Sequence, residues 1–169
     1  LDEIRAIVDD IVADDQRAGS VIDRMRAMLR RHEVEVMPLD VHDLLEDVTA
    51  LVRADAAARH TRVILEVAHR LPPVLGDRVH LQQVLLNLIF NGMDAIDEAA
   101  HKVRSIVVTA MRRGAETVEI AVNDNGSGIP KERLEQIFAS FFTTKPTGMG
   151  MGLSFSRTLI EANGGRLWA

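Results

Sequence analysis

The sequence predicts an α+β fold: a two-layer α/β sandwich with helices on one face of a mixed sheet, preceded by a long bundle-forming helix. Three observations carry this. Before residue 39 the hydrophobic pattern is helical throughout. After it, segments of helical and strand periodicity are interspersed. Two of the strand-like segments are separated by a turn short enough for a hairpin.

Each element has its own justification. Over residues 1 to about 33, Ile4, Val8, Ile11, Ala18, Ile22, Met25 and Leu29 recur at alternating three- and four-residue spacing, and only Asp15 breaks the seam. Such a narrow stripe predicts a helix packed along its length in a multi-helix, intermolecular bundle. Acidic pairs at its front and Arg30-Arg31 at its end suit the helix macrodipole. Met37-Pro38 is expected to end this unit, because proline disfavours helix at the residue before it. Two units follow, 1–37 and 38–169.

Asp40 is placed to cap a helix through about Ala58 that turns Val41, Leu44, Leu45, Val48, Leu51 and Val52 inward. Thr61 to Ala68 alternates as a strand. Leu71-Pro72-Pro73 and Gly76-Asp77 punctuate the chain before a strongly apolar helix from about Arg78 to Ala99. Ser105 to Arg112 and Thr117 to Asn123 are expected strands, joined by Arg113-Gly114-Ala115-Glu116. Pro130 suits the first position of a short helix through about Ala139. A glycine-rich stretch then leads into a helix over about Gly152 to Ala162, followed by Gly164-Gly165 and the opening of a strand at Arg166 to Ala169.

Composition narrows the function classes. The 169 residues are 47% hydrophobic and 27% charged, enough for a real core. A net charge of −5 argues against a general nucleic-acid binder, and 4% aromatic residues give no base-stacking platform. With no cysteine, disulfides, thiolate zinc sites and cysteine nucleophiles are excluded. No apolar run reaches the length of a membrane span and no signal peptide opens the chain. The reading is a soluble globular protein without membrane contact by this segment.

Four short segments carry candidate chemistry. In Leu85-Leu86-Asn87-Leu88-Ile89-Phe90-Asn91-Gly92 the two asparagines are four apart, on one face of an apolar helix. Carboxamides there demand partners: a cap or loop contact, or a hard cation with a polar ligand beside it. Asp124-Asn125-Gly126-Ser127-Gly128 follows a strand; it is an ordinary turn, or a place where backbone approaches a ligand and Asp124 accepts from an exocyclic amine. Phe138-Ala139-Ser140-Phe141-Phe142-Thr143-Thr144-Lys145 reads as a small core cluster or as the hinge of a mobile loop. Gly148-Met149-Gly150-Met151-Gly152-Leu153-Ser154 precedes a helix, where free amides and the dipole favour an anion. It lacks the Gly-Lys-Ser/Thr of a P-loop and the preceding strand of a dinucleotide fingerprint.

Together, in this order and spacing, the segments resemble the nucleotide-binding domain of sensor histidine kinases, in the superfamily shared with gyrase, Hsp90 and the mismatch-repair ATPases. Asn87 and Asn91 match the N box, Asp124 to Gly128 the first glycine box, and Phe138 to Phe142 the F box. Gly148 to Gly152 match the second glycine box and Gly164-Gly165 the glycine pair after the last helix. The match covers about residues 40–169. The N-terminal helix, with Asp14-Asp15-Gln16-Arg17-Ala18 and Met25-Arg26-Ala27-Met28-Leu29, is similar to the second helix of the family's dimerisation and phosphotransfer hairpin.

The resemblance implies an ATP-dependent protein histidine kinase that passes the γ-phosphate to a His upstream of Leu1, for relay to a response regulator receiver domain. Asn91 would coordinate Mg²⁺, with Asn87 near the phosphates, and Asp124 would accept from the adenine amine. Gly126 and Gly128 would shape the pocket floor, and residues from about Ile129 to Met149 would form an ATP lid. Gly148, Gly150, Met151, Gly152 and Leu153 would line the phosphates, Phe138 and Phe141 would flank the nucleotide, and Thr143, Thr144 and Lys145 would meet the γ-phosphate as the lid closes. A homodimer through the hairpin and a cytoplasmic location, with any membrane anchor upstream, are implied too.

Several positions depart from the family pattern. Gly92 replaces the usual Ala, and Asp94 stands where many relatives carry a base facing the phosphates. His32-Glu33 has its proline, Pro38, six residues on and lies on the wrong helix for a phosphoacceptor. His42, His60, His69, His80 and His101 read as surface or cap residues. The fragment is therefore expected not to autophosphorylate alone, and a final strand pair is expected beyond Ala169. Two rivals are a clamp-type ATPase, which would need a general-base Glu where Asn87 stands, and a non-catalytic interaction module, against which Asn91, Asp124 and the glycines argue.

Overall fold

The computed structural model describes residues 34–99, 103–145 and 148–169. The N-terminal heptad helix, His32 and His101 lie outside the described residues. The unit that holds the rest begins at Glu35.

Eight elements are built in chain order: β1 (Val36–Leu39), α1 (Val41–Ala58), β2 (Arg62–Val67), β3 (Val74–Asp77), α2 (Arg78–Ala99), β4 (Ser105–Arg113), β5 (Thr117–Asp124) and α3 (Gly152–Ala162). Strands β2, β4 and β5 form one mixed sheet, with β2 parallel to β4 and β4 antiparallel to β5. The parallel pair requires a crossover, and α2 lies within it. Strands β1 and β3 form a separate antiparallel ribbon in which Val36 faces Asp77 and Leu39 faces Val74.

Alternation on β4 explains the layers. Ile106, Val108 and Ala110 are buried while their neighbours are only partly so. They pack in one core with Leu44, Leu45, Val48 and Val52 of α1 and Leu85, Ile89, Met93 and Ile96 of α2, and Val63, Leu65, Ile120 and Val122 close it from the flanking strands. Helices thus cover one face of a mixed sheet, as the sequence pattern predicts.

Side chains define the helix ends. Asp40 Oδ1 accepts from the amides of His42 at 2.7 Å and Asp43 at 3.3 Å, the expected cap of α1. At the other end the amides of His60 and Thr61 return to the carbonyls of Ala57 and Ala56, with His60 at φ 51°. The same closure ends α3 through Gly164 and Gly165. Asp77, 1% exposed, caps α2 through the amide of His80 at 2.9 Å. Its other carboxylate oxygen accepts from the amide of Glu35 at 2.8 Å, and its own amide donates to Asn163 Oδ1 at 2.6 Å.

Five expectations need correction. Leu51, expected to face inward on α1, is instead 59% exposed. Met37-Pro38 does not end a helical unit but lies within β1, an edge position where proline's missing donor is tolerated. Gly76-Asp77 is strand as well as punctuation. The segment after Pro130 forms two 3₁₀ turns, Lys131–Arg133 and Gln136–Phe138, instead of one α-helix. Of those six residues only Phe138 is buried, too little packing to offset the cost of nucleating a helix. Arg166–Ala169 has no regular structure, since a strand needs a partner and none of the described strands pairs with it.

Replacing Met93 by Ala removes a fully buried side chain between α1, α2 and β4, and should lower unfolding stability by about 2–5 kcal/mol in urea with the slope unchanged. Asp77→Ala should cost about 2 kcal/mol or more, and Asp77→Asn, which keeps an acceptor, visibly less. Equal midpoints for Asp77→Ala and the unaltered chain would reject the capping role.

Candidate functional site

The site is laid out along one side of α2. Asn87, Asn91 and Asp94 fall at helical spacing, all half-buried, between the end of β5 and the start of α3. Asn87 Nδ2 donates to the buried Ser156 Oγ of α3 at 3.0 Å. A Cβ on Gly152 would come within 2.6 Å of Asn87 Oδ1, so only glycine lets the N-terminus of α3 lie this close. No side chain caps that terminus. The first amides of a helix have no intrahelical acceptor, and here they start beside Asn87, an arrangement that attracts anions.

On the opposite side, Asp124 ends β5 with Oδ1 accepting the Gly126 amide at 2.9 Å. A Cβ on Gly92 would stand 3.1 Å from Asp124 Cβ, so the missing methyl, rather than only loosening α2, gives the Asp124 side chain room. Gly126 presses on α2 more tightly: a Cβ there would meet the Ala95 carbonyl carbon at 2.5 Å, and the Ser127 amide donates to Ala95 O at 3.2 Å. Asn125 ties the same turn to the start of β4, accepting from Ser105 N at 3.0 Å and donating to Val103 O at 2.7 Å. Gly128 follows, exposed, at φ 72°.

The third wall is the segment after the 3₁₀ turns. Phe138 is buried, with the Arg157 guanidinium of α3 stacked 3.9 Å from its ring centre. Phe141 is instead 75% exposed and held at φ 67°, an unusual conformation for a bulky residue. Gly150 lies against the Phe141–Phe142 backbone and Gly148 against Thr143, while Met151 O accepts the Ser154 hydroxyl and Leu153 is half-buried in the first turn of α3. Thr143 Oγ1 accepts the Lys145 amide at 3.1 Å. Thr143 and Thr144 line an open cavity with Arg133, Gln136 and Phe142 that Asn87, Asn91 and Asp124 do not reach.

Lys145 turns back onto α2. Its Nζ donates to Asn91 Oδ1 at 3.0 Å and to Asp94 Oδ2 at 2.5 Å. Arg59, at the end of α1, approaches Asp94 from the other side at 2.6 Å and also reaches Asp97 at 3.1 Å, and Arg104 pairs with Asp97 as well. Burial pushes the Asp94 pKa up, but the hydrogen bonds and positive charges of Lys145 and Arg59 prevail and hold the carboxyl below its usual range. Sequence reading singled out Asp94 for its sign but missed Arg59, Ser156 and Asp77. Only Asp77 had a local signal, an acid directly before an apolar helix.

An oxygen-donor site for a small hard cation fits here. Asn91 Oδ1 already accepts a cationic donor, with the Asp94 carboxylate beside it, and Mg²⁺ typically takes one or two protein oxygens alongside phosphate and water. Among the described residues, the three-residue cluster His42, Asp43 and Glu46 is exposed on α1 and remote from these motifs in sequence. No described helix is long and apolar enough to cross a membrane.

Comparison with known proteins identifies the family. Residues 76–169 match the family described as histidine kinase-, DNA gyrase B-, and HSP90-like ATPase. The chain is 40% identical over 153 residues to the sensor protein FixL of Bradyrhizobium diazoefficiens, covering 90% of this chain and 30% of FixL. It is 34% identical to the sensory histidine kinase/phosphatase NtrB of Rhizobium meliloti, covering 97% of this chain and 46% of NtrB. The chain thus spans less than half the length of either relative. Among solved structures, the catalytic domain of histidine kinase ThkA superposes with a TM-score of 0.70 at 31% identity, covering 79% of this chain and 86% of that one. ThkA in complex with the response regulator protein TrrA gives 0.73 at 25% identity, covering 94% of this chain and 44% of that one. With the family match, the ThkA likeness and the glycine-bounded site around α2 in agreement, this chain belongs to the histidine kinase-, gyrase B- and HSP90-like ATPases, and within them to the sensor histidine kinase catalytic domains.

Proposed function

We propose that this chain is the ATP-binding catalytic portion of a two-component sensor histidine kinase, which transfers the γ-phosphate of ATP to a histidine on a helix upstream of residue 1. The observation that carries the reading is the convergence on α2 of an acid at the end of β5, two stacked asparagines and an uncapped helix N-terminus. The segment before Glu35 is then the second helix of a dimerisation and phosphotransfer hairpin, and the unit from Glu35 onward the catalytic domain. The intact protein works as a dimer in the cytoplasm, with any anchor upstream, and relays phosphate to a receiver domain. The ThkA–TrrA complex supports that partner, and exposed residues in the first half of the N-terminal helix would meet it.

The residues divide the work by chemistry. Asp124 accepts a hydrogen bond from the adenine amine through the oxygen not used by Gly126, and Gly126 and Gly128 form the floor. The first amides of α3, from Gly152 and Leu153, bind phosphate oxygens with the helix dipole behind them, Gly148, Gly150 and Met151 shape their approach, and Asn87 supports them. Asn91 Oδ1 holds Mg²⁺, which when bound neutralises phosphate charge. Thr143, Thr144 and Lys145 reach the γ-phosphate, and Phe138 and Phe141 border the nucleotide. Phosphoryl transfer asks a protein chiefly for such positioning and charge neutralisation. A clamp-type hydrolase is disfavoured because Asn87 stands where a general base would be needed to activate water.

Calorimetry with a non-hydrolysable ATP analogue and Mg²⁺ should detect one site per chain, and Asp124→Ala should weaken it about tenfold or more. No binding by the unaltered chain, or equal binding by Asp124→Ala, would sink the reading. Incubated with ATP alone, the 169-residue chain should gain no acid-labile phosphate, because its six histidines lack the acceptor setting. Label appearing on any of them would overturn that assignment.

A further inference from the structure

Lys145 occupies a position with two claimants. Its ammonium lies 3.0 Å from Asn91 Oδ1, the oxygen that the proposed function gives to a divalent cation, and 2.5 Å from Asp94 Oδ2. The contact is half-buried, with the Lys145 and Asp94 side chains 31% and 33% exposed. The backbone beneath is held too, since Thr143 Oγ1 accepts the Lys145 amide and Gly148 fits against Thr143 without a side chain.

A Mg²⁺ ion needs its oxygens at about 2.0–2.1 Å in nearly octahedral geometry. An ammonium on the same carboxamide oxygen obstructs that approach, and its charge repels a dication only a few ångströms away. The two cations therefore exclude one another at Asn91. Asp94 sets the balance. It tethers the ammonium, while Arg59 at 2.6 Å keeps the carboxylate paired when Lys145 departs. Departure thus leaves no orphaned charge, the usual source of a large cost.

We propose that Lys145 is a built-in cation that competes with Mg²⁺ for Asn91, and that Asp94 is the positioning residue holding it there while the nucleotide is absent. Metal–nucleotide binding and docking of Lys145 on Asn91 are then one coupled equilibrium, and each opposes the other by the same factor. The freed ammonium becomes available to phosphate, so one side chain guards the empty site and serves the filled one. This deepens the nucleotide-site reading and rests on it.

The test uses ADP, which lacks the γ-phosphate and so removes any benefit Lys145 gives the filled site. In the 169-residue chain, ADP affinity is measured by calorimetry with Mg²⁺ and with EDTA, and the ratio of the two reports the metal's contribution. Lys145→Met should raise that ratio about three- to tenfold, the scale of losing one half-buried ion pair and hydrogen bond. Asp94→Asn should add no further gain in the Lys145→Met background, because its tether then holds nothing. Without any ligand, Asp94→Asn should speed amide hydrogen exchange at residues 142–145 while α2 stays protected. A ratio for Lys145→Met equal to or below that of the unaltered chain overturns the competition, and unchanged exchange overturns the tether. Absence of ADP binding by the unaltered chain in both conditions overturns the nucleotide site itself, and this proposal with it.

Discussion

The buried carboxylate of Asp77 is the contact on which the remainder of the described fold depends. One oxygen starts α2 and the other receives the backbone of Glu35 at the entry to β1, while its amide is bound by Asn163 at the end of α3. Of the elements that bear proposed ligand contacts, α2 and α3 are therefore both referred to one residue. The acid is well placed for this, since a helix N-terminus favours negative charge and burial strengthens each hydrogen bond it accepts.

From that origin α2 does two tasks with two faces. Leu85, Ile89, Met93 and Ile96 join the core against the sheet, and the half-buried line Asn87, Asn91 and Asp94 faces the approaching segments. Polar groups on an otherwise apolar helix are costly unless partnered. Each here has a partner from a different part of the chain: Ser156 from α3, Lys145 from the segment before it, and Arg59 from the end of α1. The pairing organises the site in the absence of any ligand. It also resolves the unexpected sign of Asp94, whose charge is answered by two cations instead of facing phosphate alone.

The legible parts of the sequence were those governed by local rules. α2 and α3 begin and end where the apolar pattern and the flanking glycines place them, Asp40 caps α1 as its position predicts, and β4 and β5 extend only a residue beyond their expected ends. Strands β1 and β3 escaped because four residues containing Pro38 or Gly76 show no alternation, and their pairing joins segments distant in sequence. Within the site, the asparagines, Asp124 and the glycines announced themselves by type and spacing. Ser156 and Arg59 did not, because an ordinary serine or arginine becomes informative only once folding shows what it faces. The reason for Gly152 was likewise hidden: it is an empty volume claimed by Asn87, and no rule of periodicity encodes a neighbour's shape.

The double attachment of α3 has a consequence for how the cost of ligand binding is distributed. Asn87 and Ser156 join its first half to the middle of α2, and Asn163 joins its end to the α2 cap. The helix N-terminus and the asparagine face consequently form a preorganised unit that need not be ordered when an anion arrives. The entropic penalty of binding falls instead on the loop bearing Phe141, Thr143 and Lys145, where the aromatic is exposed and the anchors are one hydroxyl and an exchangeable ion pair. Ligands that differ only where that loop touches them will differ in binding entropy more than in contact area.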